Sequence, residues 1–118
     1  MDRNKRKQLL EQYKQVKTYM GVYKITNTVN GKVYIGSCPN LKNKWLTLRG
    51  QLDMNRFANA ALQQEWNELG AEAFHYEVLE QKELTEDTDR KWAPKQLENA
   101  WLEKIQPYDD NGYNKKPK

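Results

Sequence analysis

Cysteine and histidine are almost missing from this chain: Cys38 and His75 are the only examples. A lone thiol closes no disulfide within the chain and builds no cysteine-rich zinc site, and one imidazole excludes a multi-histidine metal centre. The expected compartment is a reducing cytoplasm, where such a thiol stays free. Long apolar runs are missing too. No stretch approaches the roughly 20 residues of a membrane-spanning helix, and the basic residues 1–7 are not followed by the apolar segment of a secretory signal. Neither internal repeats nor low-complexity segments are visible. Only 37% of the residues are hydrophobic, so a small core under a large solvated surface is expected. Four Trp, seven Tyr and two Phe supply much of that core's volume, and 118 residues with this aromatic content suit one folded domain.

The charge is unevenly distributed. Residues 1–56 hold 12 Lys or Arg against 3 Asp or Glu, residues 59–111 hold 5 against 13, and Lys115, Lys116 and Lys118 follow. A polyanion such as DNA or RNA is drawn to the positive half, although on charge alone a merely solvated surface explains the pattern equally well.

Periodicity predicts a polar helix over residues 3–18 with Leu9, Leu10, Tyr13 and Val16 as its stripe, broken at Met20-Gly21. Two β-branched and aromatic runs, residues 21–26 and 32–36, surround Asn30-Gly31, the strongest short hairpin signal. A two-residue turn there sets Tyr34 opposite Asn27 and Tyr23 opposite Cys38, with Tyr23, Ile25, Asn27 and Tyr34 on one face. Asn40 is placed to cap a helix reaching Met54 that buries Leu41, Trp45, Leu48 and Leu52, with Gly50 weakening its middle. A second helix spans residues 59–69 and stops at Gly70. Residues 74–80 alternate as a strand, residues 85–89 form an acidic loop, and a last helix covers residues 95–105 after Pro94, turning Leu97, Trp101 and Ile105 inward. The expected fold is α/β (α+β): a small three-stranded antiparallel sheet flanked by helices. Residues 1–20 read as a basic helical extension, 21–114 as the domain and 115–118 as a basic tail.

The triplets Gly21-Val22-Tyr23 and Tyr34-Ile35-Gly36 are followed, in order, by Leu62-Gln63, Trp66-Asn67, Val78-Leu79-Glu80, Glu98-Asn99-Ala100-Trp101 and Gly112-Tyr113-Asn114. This series resembles the GIY-YIG nuclease family over residues 21–114, with Val22 a mild change in the first triplet. The resemblance implies hydrolysis of DNA phosphodiesters, DNA being favoured over RNA, with one divalent ion, Mg²⁺ or Mn²⁺. It implies that Tyr23 and Tyr34 position or deprotonate the attacking water, that a cation on the first helix after the hairpin stabilises the phosphate, that Glu98 holds the metal and that Asn114 supports the site. One carboxylate suffices for a hard ion that keeps most of its waters, whereas a phenol, with an ordinary pKa of about 10, needs nearby positive charge to act as a base.

The chain departs from the family's pattern at the helical cation. Lys44 stands in the position of an Arg, keeping the charge without the two-pronged fork. Arg49 lies about 140° around the helix from Lys44, so the two cannot both face the hairpin. Leu48 and Phe57 stand where relatives often carry His. Lys32, Lys44, Arg49 and Arg56 are the candidate phosphate contacts. Cys38, with no histidine nearby in sequence, does not read as a nucleophile, His75 reads as structural or solvent-facing, and of the tryptophans at most one is free to stack on a base. Three functions stay open on the residues: an active metal-dependent endonuclease, a catalytically degraded nucleic-acid-binding module, and a protein-interaction domain using the acidic half.

Overall fold

The computed structural model describes residues 17–115, so the helix expected over residues 3–18 lies outside them except at its last two positions, and Thr18 is already strand. The elements are β1 (Thr18–Asn27), β2 (Val33–Cys38), α1 (Lys44–Asp53), α2 (Ala60–Leu69), β3 (Phe74–Leu84) and α3 (Trp92–Ile105), with 3-10 turns at Ala71–Ala73 and Asp109–Asn111. β1 is the central strand and pairs antiparallel with both neighbours, in the order β2-β1-β3. The expected three-stranded sheet with helices is therefore present. The central strand and one outer strand differ from expectation in length: β1 starts three residues before Gly21, and β3 continues four beyond Glu80.

The hairpin register is two residues away from that of a two-residue turn. Tyr23 faces Gly36 and Ile25 faces Tyr34, in place of the expected Cys38 and Asn27 partners. The loop is residues 28–31, closed by Gly31 N–H donating to Asn27 O and Asn27 N–H donating to Lys32 O, each at 2.8 Å. Asn27 shapes it, because its Oδ1 accepts from Val29 N–H at 2.9 Å and starts the turn before Asn30-Gly31 is reached. Only Gly31 takes a positive φ, 79°, whereas a type I′ turn needs two such residues. A shift of two preserves parity, so Tyr23, Ile25, Asn27 and Tyr34 share a face as expected.

That face meets α1 and α2. Tyr23, Ile25 and Cys38 pack with Leu48, Leu52, Leu62, Trp66, Phe74 and Tyr113 in one buried cluster. On the opposite face Val22 and Ile35 are fully buried. There α3 packs against β1 and β2, and Trp101 Nε1 donates to Glu80, the β3 partner of Val22, at 2.9 Å.

Helix boundaries follow local hydrogen bonding. α1 begins at Lys44, four residues after Asn40, because the Asn40 Oδ1 accepts from Lys42 N–H in a turn and Asn43 takes a left-handed conformation before the helix starts. α2 is capped as expected, with Asn59 Oδ1 accepting from Leu62 N–H and Gly70 at φ 86° ending it. α3 starts three residues earlier than expected. Asp89 accepts from the N–H groups of Lys91 and Trp92, and Pro94 sits in the first turn, where its missing N–H leaves no helical bond unmade.

Gly36 matters through close approach: a Cβ there would collide with the ring and hydroxyl of Tyr23, which cross over it. Gly36→Ala is expected to lower stability by about 1–3 kcal/mol as an overpacked core position. Urea unfolding measures this, and an unchanged midpoint would show that the Tyr23 ring does not need that space.

Candidate functional site

A cleft of about 610 Å³ opens between β2, the start of α2, α3 and the C-terminal segment. Tyr34, Glu98 and Asn114 all line it, so three of the expected site residues meet there. Tyr23 is buried against Tyr34, with ring centroids 6.4 Å apart. Lys44, from the start of α1, places its Nζ 5.9 Å from the centroid of the Tyr23 ring. Arg49 is exposed on the same helix and Arg56 is exposed after it; neither pairs with a described carboxylate or lines the cleft. The geometric exclusion between Lys44 and Arg49 thus resolves with Lys44 toward the hairpin. Lys32 is already engaged: its Nζ lies 3.8 Å from Glu65 and 5.9 Å over the ring of Tyr113, which compensates its charge.

Both phenols are held in the neutral form. Burial pushes Tyr23 far above the usual phenol range, and the neighbouring Tyr34, Cys38, Tyr76 and Glu98 add to the effect. Burial also raises Tyr34, with Glu98 contributing. Glu98 is the carboxylate that acts on both rings. Its side chain is 13% exposed and pairs with Lys95 Nζ at 2.9 Å, one helical turn earlier.

Asn114 uses both ends of its amide on β2. Its Oδ1 accepts from Ile35 N–H at 2.9 Å and its Nδ2 donates to Ile35 O at 2.8 Å. Tyr113 N–H donates to Val33 O at 3.0 Å, and Gly112 bridges to Val33 in parallel. The segment therefore behaves as a short strand on the free edge of β2. It is anchored beneath by Asn27, a fully buried amide whose Nδ2 donates to Glu65 at 2.9 Å and to the Tyr113 hydroxyl at 3.0 Å. The Tyr113 hydroxyl donates to the same Glu65 oxygen, and Asn30 Nδ2 adds a bond at 3.2 Å.

Leu48 is a core residue here, and Phe57 meets the Tyr34 ring edge-on at 5.5 Å, so apolar contact occupies both positions where relatives often carry His. Cys38 is buried, its thiol donates to Asn40 O, and burial raises its pKa more than Lys44 and that bond lower it. His75 is exposed on β3. Sequence reasoning missed Lys95 and Lys115, both on the cleft wall, and Glu65. The i,i+3 spacing of Lys95 and Glu98 was a usable signal. Glu65 gave none beyond its place on a helix.

The family model for the GIY-YIG catalytic domain matches residues 19–114. Intron-associated endonuclease 1 of Enterobacteria phage T4 is 30% identical over 94 residues, which cover 80% of this chain and 36% of that protein. The chain thus spans just over a third of the length of this curated relative. Among solved structures, the catalytic domain of homing endonuclease I-TevI matches with a TM-score of 0.66 at 28% identity, covering 83% of this chain and 99% of that one. A mutant of the I-TevI catalytic domain matches with a TM-score of 0.65 at 29% identity, over 84% and 93% of the two chains.

The Asn27 network gives the cleft a defined pH response. Burial opposes ionisation of Glu65, but hydrogen bonds from Tyr113, Asn30 and Asn27, with the charge of Lys32, outweigh it and hold the carboxyl below its ordinary value. Below that ordinary value the unfolded chain binds more protons than the folded one, so stability is present above it and is lost as pH falls through the folded pKa. Tyr113 is pushed up to about 12, first by burial and then by Glu65, so stability also declines as pH rises from the ordinary phenol value toward about 12. Glu65→Gln is expected to flatten the acid limb of a melting-temperature profile. An acid limb identical to that of the parent chain would remove Glu65 from this account.

Proposed function

Because this chain belongs to the GIY-YIG catalytic domain family, we propose that it is a metal-dependent endonuclease domain that hydrolyses DNA phosphodiesters in the cleft between β2 and α3. The observation that carries the reading is the meeting of Tyr34, Glu98 and Asn114, from three distant parts of the chain, around one cleft with Tyr23 directly behind. Kinship with an endonuclease catalytic domain supports hydrolysis, and the homing endonuclease among the relatives supports DNA as the polymer.

Glu98 is the residue that would hold the divalent ion, Mg²⁺ or Mn²⁺. The donor set fits a hard ion that retains most of its waters: it offers one carboxylate, and no group of three His, Cys, Asp or Glu is poised for a metal among the described residues. Once bound, such an ion lowers the pKa of water and offsets charge on the leaving oxygen. Lys95 must yield its contact with Glu98 for this to happen, which frees its ammonium for a phosphate oxygen.

The tyrosines act by position. A phenol held above its usual pKa keeps its proton, so Tyr34 orients water or phosphate by hydrogen bonding, and Tyr23 fixes the Tyr34 ring from behind. Asn114 is a positioning residue that holds the backbone of β2 at Ile35, next to Tyr34. Positive charge for the phosphate comes from Lys44, Lys95 and Lys115, with Arg49 and Arg56 reaching flanking phosphates. A Lys in place of the family's Arg provides one prong where a guanidinium provides two, and this lowers the rate.

Nicking of supercoiled plasmid in Mg²⁺ or Mn²⁺ tests the reading. Wild type is expected to nick and to stop when EDTA removes the metal. Glu98→Ala is expected to fall by about 100-fold or more, through the loss of several kcal/mol of charge stabilisation. Lys44→Arg is expected to rise by roughly 10-fold as the bidentate contact is restored. Folded wild type that leaves every DNA form intact would end the proposal, and Lys44→Arg at or below parent activity would remove Lys44 from the phosphate site.

A further inference from the structure

Of the four tryptophans, three are accounted for by packing. Trp45 stacks on Tyr76 with centroids 5.1 Å apart and meets Trp66 edge-on, Trp66 is buried, and Trp101 is bonded to Glu80 beneath Lys104. Trp92 is 62% exposed in the first turn of α3. Leu46, Val29 and Met54 are about as exposed, but Trp92 alone among them offers a flat aromatic face on which a base can stack. Its neighbours carry both signs: Asp89 is turned to the helix start, where it accepts from the Trp92 N–H at 3.0 Å. Arg90 and Lys91 precede it, exposed and without an ion pair to any described residue, and Lys95 follows one turn later on the adjoining helical face.

The same helix carries Glu98, the carboxylate assigned above to the metal. Trp92 and Glu98 are six residues apart, about 9 Å along the axis and about 120° around it, and Lys95 lies between them at about 60° from each. Rise and rotation together set Trp92 a few nucleotides of stacked strand from Glu98, at about 3.4 Å each. A phosphate chain centred near Glu98 and running past Lys95 therefore brings a base to Trp92. Beyond Trp92 the track changes sign, because Glu86, Asp87 and Asp89 occupy the preceding loop. A strand reaching Trp92 is repelled from continuing, so its base ends on the indole.

We infer that Trp92 is a stacking platform for an unpaired base a few nucleotides from the scissile phosphate, which makes DNA with single-stranded character beside the cut the preferred substrate. In a continuous duplex both faces of every base are covered by neighbours, and an indole has no face to stack on. A frayed end, a single-stranded extension or a displaced nucleotide offers one. The inference rests on the nuclease reading for the position of the cut, and on the exposed indole with its flanking cations for the base.

The experiment uses the full chain in EDTA, so that nothing is cleaved, and two labelled probes: a blunt duplex, and the same duplex with a single-stranded thymine extension. Wild type is expected to bind the extended probe more tightly. Trp92→Ala is expected to lose about 5- to 150-fold on that probe, the range supplied by stacking of one base on an aromatic ring, and to bind the blunt duplex as wild type does. Trp92→Phe is expected to retain most of the affinity, and replacing the stacked thymine by an abasic nucleotide to reproduce the loss without adding to that of Trp92→Ala. Because the side chain is exposed, the melting temperature of Trp92→Ala is expected to match that of wild type. Equal binding of both probes by wild type, an unchanged Trp92→Ala, or equal weakening on both probes would overturn the inference while plasmid nicking keeps the nuclease reading intact. Wild type that binds neither probe would overturn both.

Discussion

One buried amide organises the molecule. Asn27 is fully enclosed, and a polar group withdrawn from water must find partners inside or pay heavily in desolvation. Its partners come from three regions: Val29 in its own loop, Glu65 on α2 and Tyr113 near the C-terminus. None of these regions can shift without leaving a donor or acceptor unmatched. The loop that begins at Asn27 sets the hairpin register, and the register sets where Tyr34 emerges. Tyr113, held from below, delivers Asn114 to the edge of β2. The cleft is thus built by a polar residue that does not line it.

Around that frame the candidate site combines groups with different demands. Two tyrosines, Tyr23 buried and Tyr34 partly buried, are held neutral, suited to holding a geometry rather than to moving protons. A single shielded carboxylate, Glu98, lies close enough to influence both. The cations come from outside the two tyrosine triplets: Lys95 from α3 and Lys115 from the segment after Asn114 line the cleft, whereas Lys44 from α1 lies against the Tyr23 ring and is not part of the lining. Lys95 is in direct contact with Glu98, so under the proposed function a cation held by the carboxylate and a phosphate held by the lysine would be coupled through one ion pair. The apolar environment supplied by Leu48 and Phe57 packs and orients Tyr34 but offers it no proton acceptor.

Much of this fold was readable from the residues, and the misreadings have local causes. Strand alternation and the Asn-Gly signal located the hairpin and the shared face of Tyr23, Ile25, Asn27 and Tyr34. The register moved by two because the side chain of Asn27 starts a turn of its own, a competition that backbone preferences at Asn30-Gly31 do not reveal. Asn40 was read as a helix cap, but it closes an earlier turn, and α1 waits for Lys44. Pro94 was read as a boundary, although the first turn of a helix accepts proline without loss. Tyr34, Glu98 and Asn114 could be named together only through a family pattern, since 79 residues separate Ile35 from the Asn114 that binds it. No local rule reports a contact of that range. The partners of Glu65 were illegible for the same reason.

The two margins of the sheet are treated differently. β2 has its outer edge taken by Gly112–Asn114, so the chain itself fills the place another strand would seek. β3 has no such cover among the described residues, and at 11 residues it is the longest strand. Its far half reads Glu80, Gln81, Lys82, Glu83, and Glu77 precedes them. Closely spaced charges of both signs on an open edge penalise the flush alignment that a second sheet would need to dock there. Discouragement of edge-to-edge pairing therefore resides in β3, none of whose residues lines the cleft.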